Sequence, residues 1–175
     1  MTWAAVTGAF EAIDFRGINN IALRDVWRDG PKTYLGLTVK DFPNMFMSIG
    51  PHQAYGNIPR SIEYAVGWIS DCIEHLIDNN ISYIEAKDQG VSFARPWCFR
   101  VAASHWMQVQ EWTDHVHKLG EGLLSNEVDS WLTGVNKNVA GKQKRIIARY
   151  SGSATEFREQ CNAVADAHYD TFSLT

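Results

Sequence analysis

The sequence has no excess of positive charge. Sixteen Lys and Arg stand against twenty Asp and Glu over 175 residues, a formal charge of −4. No domain-wide basic face follows from that balance, which argues against nucleic acid as the main partner. Long apolar runs are also missing, since none approaches the roughly 20 residues of a membrane span. Met1-Thr2-Trp3-Ala4-Ala5 has neither the charged start nor the apolar stretch of a secretory leader, so a cytoplasmic protein that does not bind membranes is expected. Cysteine is scarce: Cys72, Cys98 and Cys161 are an odd, widely spaced set without a CxxC pair. They read as reduced thiols rather than a disulfide framework. No zinc site is expected either. His115 and His117 lie two apart and point to different faces of a helix, and the Cys72–His75 spacing has no further ligands beside it. Nothing marks a hydrolytic triad, a P-loop or paired carboxylates, and Gly120-x-Gly122 follows a helical pattern instead of a strand.

What is present is ample core material. The chain is 45% hydrophobic with seven Trp, eight Phe and six Tyr, enough for one domain or a large piece of a bigger one. The stretch Phe42 to Asn80 organises the rest. Phe42-Pro43-Asn44 is a turn signal, Met45 to Ile49 reads as a short buried strand, and Gly50-Pro51 ends it. Asn57 stands at a helix N-cap position with Pro59 in the first turn. Ile62, Ala65, Val66, Ile69, Cys72, Ile73, Leu76 and Ile77 then follow at helical spacing up to the stop Asp78-Asn79-Asn80. One reading is a βα unit in a domain core. The other is a ligand-facing loop, in which backbone N–H groups and the positive end of the helix meet an anion or an electron-rich ring. His52, Gln53 and Tyr55 would then line a substrate pocket beside Gly50, Pro51, Asn57 and Ile58.

Around that unit, Trp3 to Val6 reads as a strand already under way, and Thr33 to Val39 (TYLGLTV) as a β-branched, aromatic strand. Ile81 to Ala86 reads as a short extended segment. Gln108 to Leu124 reads as a helix with Val109, Trp112, Val116, Leu119 and Leu123 on one stripe. Asp129 to Lys142 reads as a loop, Arg145 to Tyr150 as a short strand, and Ser153 to Tyr169 as a last helix with Phe157, Cys161, Val164, Ala165 and His168 along one side. The fold class is α/β, with short strands and three long helices. Asp88 to Met107 fits neither period and carries two Trp, two Phe, two Arg, a Pro and a Cys. It reads either as a basic-aromatic functional loop or as an insertion foreign to the fold, and the insertion is favoured because long structureless loops are uncommon in compact domains.

Taken together the residues resemble a known family. Thr7-Gly8, Phe10-Glu11-Ala12-Ile13-Asp14 and Arg16-Gly17 carry the likeness, then Thr33-Tyr34-Leu35-Gly36, Phe42 to Met47, and Gly50-Pro51 leading to Asn57 and Ser61-Ile62-Glu63. Glu111-Trp112-Thr113, Asp129-Ser130-Trp131, Thr133-Gly134, Asn136 and Gly141-Lys142 extend it. In order and spacing these resemble the C-terminal portion of flavin-dependent Baeyer–Villiger monooxygenases of the cyclohexanone monooxygenase type. The resemblance implies a partial Rossmann-like flavoprotein fold, the C-terminal part of the FAD domain. It implies one incomplete domain: 1–87 a strand, turn and helix unit near the flavin, 88–107 an insertion, and 108–175 C-terminal helices with a lid loop. It implies FAD and NADPH as cofactors and oxygen insertion next to a ketone, on a secondary metabolite or a cyclic or aryl ketone. By the same resemblance Gly50, Pro51, Asn57 and Ile58 lie at the flavin, and Trp131 matches the tryptophan of a loop that closes over the nicotinamide cofactor. Lys137 and Asn138 are two residues more than the family's usual run there. The family's two GxGxxG fingerprints are absent, and with them the pyrophosphate cradle. The 175 residues are therefore not expected to bind FAD tightly or to turn over alone.

Three functions follow for testing. The first is a monooxygenase segment that works with its missing N-terminal half. The second is a non-catalytic remnant that associates with itself or another chain through exposed core surface. The third is a cofactor-free isomerase or cyclase that reuses the pocket around His52, Tyr55 and Asn57.

Overall fold

Two helix ends fix the frame of the molecule. In the computed structural model, which describes residues 10, 12–54, 56–87, 109–130, 133, 135 and 145–175, the elements run as follows. A 3-10 turn (Ile18–Asn20) leads to the short helix α1 (Leu23–Val26), the long helix α2 (Ile58–Asp78) and strand β1 (Ile84–Ala86). After them come helix α3 (Val109–Gly120), the short α4 (Leu124–Glu127), α5 (Ala154–Asp166) and strand β2 (Phe172–Leu174). Tyr55, Cys98, Trp131, the Trp3–Val6 segment and the expected insertion 88–107 lie outside the described residues.

α2 begins and ends as its sequence dictates. Asn57 Oδ1 accepts from the Arg60 N–H at 3.3 Å, and Pro59 sits in the first turn, where its missing donor costs nothing. At the far end Asn80 takes the left-handed conformation (φ 52°), Asn80 N–H donates to Ile77 O and Ile81 N–H donates to Leu76 O. That is a Schellman closure, which satisfies carbonyls the helix cannot. α5 closes in the same way through His168 (φ 54°), with Tyr169 N–H on Val164 O. The helical pattern expected to run to Tyr169 therefore stops at Asp166. Its start is as expected: Ser153 Oγ accepts from Thr155 N–H at 3.1 Å.

The core forms where α2 meets α5. Ala65, Trp68, Cys72 and Leu76 of α2 are buried against Phe157, Cys161 and Val164 of α5. The Trp68 indole N–H donates to Cys161 O at 2.8 Å, and Tyr64 OH donates to Asn162 Oδ1 at 2.7 Å. Trp112 of α3, wholly buried, stacks flat on Tyr150 with centroids 5.5 Å apart, and Phe157 closes against both rings. Cys72 and Cys161 are free buried thiols; burial pushes Cys72 up to about 12 and Cys161 further in the same direction, so neither forms a thiolate at neutral pH. A second cluster, Leu23, Trp27, Val39, Phe42 and Met47, packs under the N-terminal part.

The strands depart most from expectation. One two-stranded antiparallel ribbon is present among the described residues, β1 with β2, pairing Ile84 with Leu174 and Ala86 with Phe172. Thr33 to Val39 is a reversal, not a strand. Leu35 and Gly36 both take positive φ, and Tyr34 and Thr38 exchange two hydrogen bonds across the turn. Gly36 overrides the β-propensity of its neighbours because it alone adopts φ 67° without strain. Met45 to Ile49 keeps a single bridge, Thr38 to Phe46, and Arg145 to Tyr150 keeps one parallel bridge, Ala54 to Tyr150. Asn44 shows how pairing is replaced by side chains: its amide donates to Ser82 O and its carbonyl accepts from Ile84 N–H, both at 3.0 Å. The helix expected to run to Leu124 ends at Gly120, and Leu123 is left exposed beyond the helix end.

Two glycines make opposite predictions. A Cβ on Gly36 would sit 2.6 Å from Gln53 Cγ and 2.8 Å from Pro51 O, at a positive φ. Gly36→Ala is therefore expected to cost about 2–4 kcal/mol. Gly67 lies mid-helix with open space around it, so Gly67→Ala should stabilise by about 1 kcal/mol. Urea midpoints of the two variants measure both, and a neutral Gly36→Ala would show the turn to be looser than described.

Candidate functional site

The turn between Gly50 and Asn57 is built from the inside outward. Gly36 and Gly50 press together: a Cβ on Gly50 would fall 2.6 Å from Gly36 O and 2.9 Å from Met47 Cβ. This close approach brings the reversal at Leu35–Gly36 beneath Gly50-Pro51, both of which are buried. Gln53 locks the junction. Its side-chain amide donates to Gly36 O and to Met47 O, each at 2.9 Å, and its backbone carbonyl accepts from Tyr150 N–H at 3.0 Å.

His52 closes the other side. It is wholly buried and adopts φ 67°. Its backbone N–H donates to Ala148 O at 2.9 Å. Nε2 lies 3.3 Å from Ile147 O and Nδ1 lies 3.1 Å from Thr33 Oγ1. A carbonyl only accepts, so Nε2 carries the proton and Nδ1 accepts from the threonine hydroxyl. Burial first, and the nearby His117 ring second, lower the His52 pKa to about 3, and the hydrogen bond to Ile147 O works the other way. His52 and Gln53, expected from sequence to line a substrate pocket, thus direct their polar atoms into the protein and hold the turn. Thr33, Gly36 and Met47 entered the sequence reading only among the stretches that carry the family likeness or read as strands, and neither they nor Ile147 were expected at the site. Their contributions are backbone carbonyls, a hydroxyl and an absent side chain, none of which marks a ligand site in sequence.

The outer surface is different in kind. Gly56, Asn57, Ile58 and Arg60 are exposed, and no acidic residue lies in the first turn of α2. The Ile58 N–H has no intrahelical acceptor, as is general for the first helical residue. Ser61 Oγ donates to Ala54 O at 2.9 Å and fixes the turn against the helix. A 21-residue helix therefore presents its positive end, with exposed apolar Ile58 at its first turn, to whatever approaches. That arrangement suits an electron-rich ring edge that gains negative charge. Gly56 leaves room for close approach, since a Cβ there would meet nothing within 4 Å. The pyrophosphate of a dinucleotide has no strand–GxGxxG–helix cradle in this sequence.

The ends of the expected lid loop are tethered. Arg145 donates to Asp129 Oδ1 through Nη2 at 2.6 Å and through Nε at 3.2 Å. Thr133 Oγ1 accepts from Ser130 N–H, and Ile146 N–H donates to Thr133 O. Among the described residues no cluster of three or more His, Cys, Asp or Glu could hold a metal, and no helix is long and apolar enough to cross a membrane.

The buried histidine gives the site a pH signature. A folded pKa near 3 lies below the unfolded value near 6.5, so its contribution is complete above about pH 7 and is lost as pH falls. The slope approaches about 1.4 kcal/mol per pH unit between those values. His52→Asn keeps an acceptor and tolerates positive φ, and it should flatten this part of the urea-midpoint profile between pH 4 and 6.5. An unchanged profile would mean that His52 titrates normally in the folded protein.

No family model matches the sequence. It is 32% identical over 170 residues to cyclohexanone 1,2-monooxygenase of an Acinetobacter species, a match that covers 97% of this chain and 27% of that enzyme. It is 31% identical over 165 residues to a Baeyer–Villiger monooxygenase of Pseudooceanicola batsensis, covering 94% of this chain and 26% of the relative. Among solved structures, cyclohexanone monooxygenase of Rhodococcus sp. Phi1 bound to NADP+ superposes with a TM-score of 0.80 at 31% identity, over 97% of this chain and 28% of that one. OTEMO in complex with FAD and NADP superposes with a TM-score of 0.79 at 28% identity, covering 97% of this chain and 27% of that one. The chain thus spans about 27% of the length of the curated relatives it matches. Sequence and structure together match it, nearly end to end, to a C-terminal portion of the Baeyer–Villiger monooxygenases.

Proposed function

We propose that this chain supplies the C-terminal part of the FAD domain in a flavin- and NADPH-dependent monooxygenase that inserts oxygen next to a ketone. The observation that carries the reading is the superposition on NADP-bound cyclohexanone monooxygenase over 97% of the chain. The exposed N-terminus of α2 gives that likeness a physical role. FAD, when bound, would supply the oxygen chemistry, and the protein's part is to place it and exclude water. In this reading Gly50 and Pro51 shape the turn, and Asn57 caps the helix so that the Ile58 N–H and the helix dipole face the flavin's electron-rich edge. His52 and Gln53 hold the turn from beneath. Trp131 closes over the nicotinamide cofactor, and Tyr55 faces the substrate, a cyclic or aryl ketone or a ketone of secondary metabolism. Residues 88–107 form an insertion in a single incomplete domain, and the buried reduced thiols suit work in the cytoplasm.

A cofactor-free isomerase built on the same turn is disfavoured. A base with pKa about 3 and both ring nitrogens engaged in the protein is too weak and too enclosed for proton abstraction near neutral pH.

The reading is tested by a chimera in which this chain replaces the matching segment of the Acinetobacter cyclohexanone monooxygenase. The chimera is expected to keep a flavin absorbance band through gel filtration and to oxidise NADPH in response to cyclohexanone. The isolated chain, lacking a pyrophosphate cradle, should retain no flavin. A folded but colourless chimera would sink the proposal.

A further inference from the structure

The C-terminal ends of α2 and α5 lie side by side, and each carries a histidine. His75 is in the last turn of α2. His168 takes the left-handed position just beyond Asp166, the last residue of α5. The two imidazoles face each other with centroids 5.8 Å apart and planes inclined by 15°. The Tyr169 ring closes on His75 at 5.2 Å and is itself buried against Trp68 at the helix seam. Helix ends and a core ring, not a loop, therefore set the separation of the pair. His75 is half-buried and His168 exposed, so both are open to solutes.

Imidazole is a ligand that nickel, copper and zinc ions share. With metal–nitrogen bonds of about 2.0–2.1 Å, two imidazoles on one ion have ring centres roughly 4.5–6.4 Å apart, according to the angle between the bonds. The helix ends already stand at such a separation, and side-chain rotation is what remains. Nε2 is the available nitrogen of His75. Its Nδ1 lies 3.4 Å from the Asn79 amide nitrogen, which makes its shorter bond, 2.8 Å, to His75 O. Among the described residues no hydrogen bond engages the His168 ring. The surroundings favour a cation. Both helices direct their carbonyl ends, and so partial negative charge, to this corner. Asp71 and Asp78 flank His75 about one helical turn away, and Asp170 follows His168, all three exposed. Burial first, then Cys72 and Asp71, raise the Tyr169 pKa, which sets Asp71 beside the ring that His75 touches. Lys87 opposes them weakly, its ammonium held on Asp170 O at 3.0 Å. No third protein ligand is close enough among the described residues, and Cys72 is wholly buried.

We propose that His75 and His168 form a two-imidazole site for a divalent transition-metal ion of the nickel, copper or zinc class, with water in the remaining positions. The ion staples the ends of α2 and α5 together. The site lies at the opposite end of α2 from the Gly50–Asn57 turn and does not depend on the functional reading above. The Cys72–His75 spacing seen in the sequence is thus not the pair that the fold assembles.

Zn²⁺ added to the 175-residue chain is expected to bind one ion at this site by calorimetry. At a hundredfold excess over Kd it should raise the thermal midpoint by about 5 °C or more, and EDTA should reverse the rise. His75→Gln and His168→Asn should each weaken Zn²⁺ binding at least about tenfold, since even groups behind the ligands are worth that much. Without metal, each should leave the midpoint within about 3 °C, because both positions reach the surface and asparagine accepts positive φ. Cu²⁺ bound to the unsubstituted chain should show two nitrogen donors by electron paramagnetic resonance, and one in either variant, a count that helix stability does not alter. Zn²⁺ affinity retained when both histidines are replaced would place the ion elsewhere and overturn the proposal. An unsubstituted chain whose midpoint ignores Zn²⁺ overturns it too. If a variant is less stable without metal, the rise on adding Zn²⁺ is compared instead, and a full rise counts against the site.

Discussion

The seam between α2 and α5 sets the position of everything else. Trp68 crosses it, buried to 4% exposure with its indole N–H on the Cys161 carbonyl, and Cys72 and Cys161 fill the space on either side with no exposure at all. An indole that combines large apolar area with one satisfied donor fixes both distance and register between two helices. Because α2 is long, one seam near its middle orients both ends. The N-terminus is brought to the Gly50–Asn57 turn, and the Schellman closure at Asn80 feeds the chain into β1, where it pairs with the strand that follows α5.

The turn at the head of α2 divides its labour by depth. Inside, Gln53 and His52 spend their polar atoms on backbone carbonyls and a threonine hydroxyl. Outside, Asn57 and Ile58 leave the helix end open. A helix terminus acts on a ligand only if it does not shift when charge develops, and the Gly36–Gly50 contact with the doubly bonded Gln53 amide supplies that rigidity. Polar residues in a candidate ligand loop are therefore not all ligand residues. Here the buried ones position the exposed ones.

The same structure displays the marks of a part. α2 carries two apolar faces where a helix of a self-sufficient domain carries one, and segments with strand composition find a partner for only a residue or two among the described residues. Both features agree with a chain that spans about a quarter of its relatives' length. The dinucleotide cradle that would make the helix end a complete flavin site is likewise not in the sequence.

Local signals in the sequence determined the helices, because their causes are local. Asn57 with Pro59, Ser153, and the Asp78-Asn79-Asn80 stop act within four residues of the ends they define. The ordered residues from Thr7 to Lys142 were also enough to point to the family, since spacing is preserved where backbone geometry is. The strands were not legible. Thr33 to Val39 has strand composition, yet positive φ at Leu35 and Gly36 turns it back, and whether a segment pairs depends on a partner far along the chain. The apolar count of α2 was legible, but its division was not. Val66, Ile73 and Ile77 are at least as apolar as Ala65, Cys72 and Leu76, and only the tertiary placement decides which row is buried. The role of His52 was decided in the same way. A histidine in a loop offers two ring nitrogens to any partner, and the tertiary structure brought Thr33 and Ile147, 19 and 95 residues away, to take both.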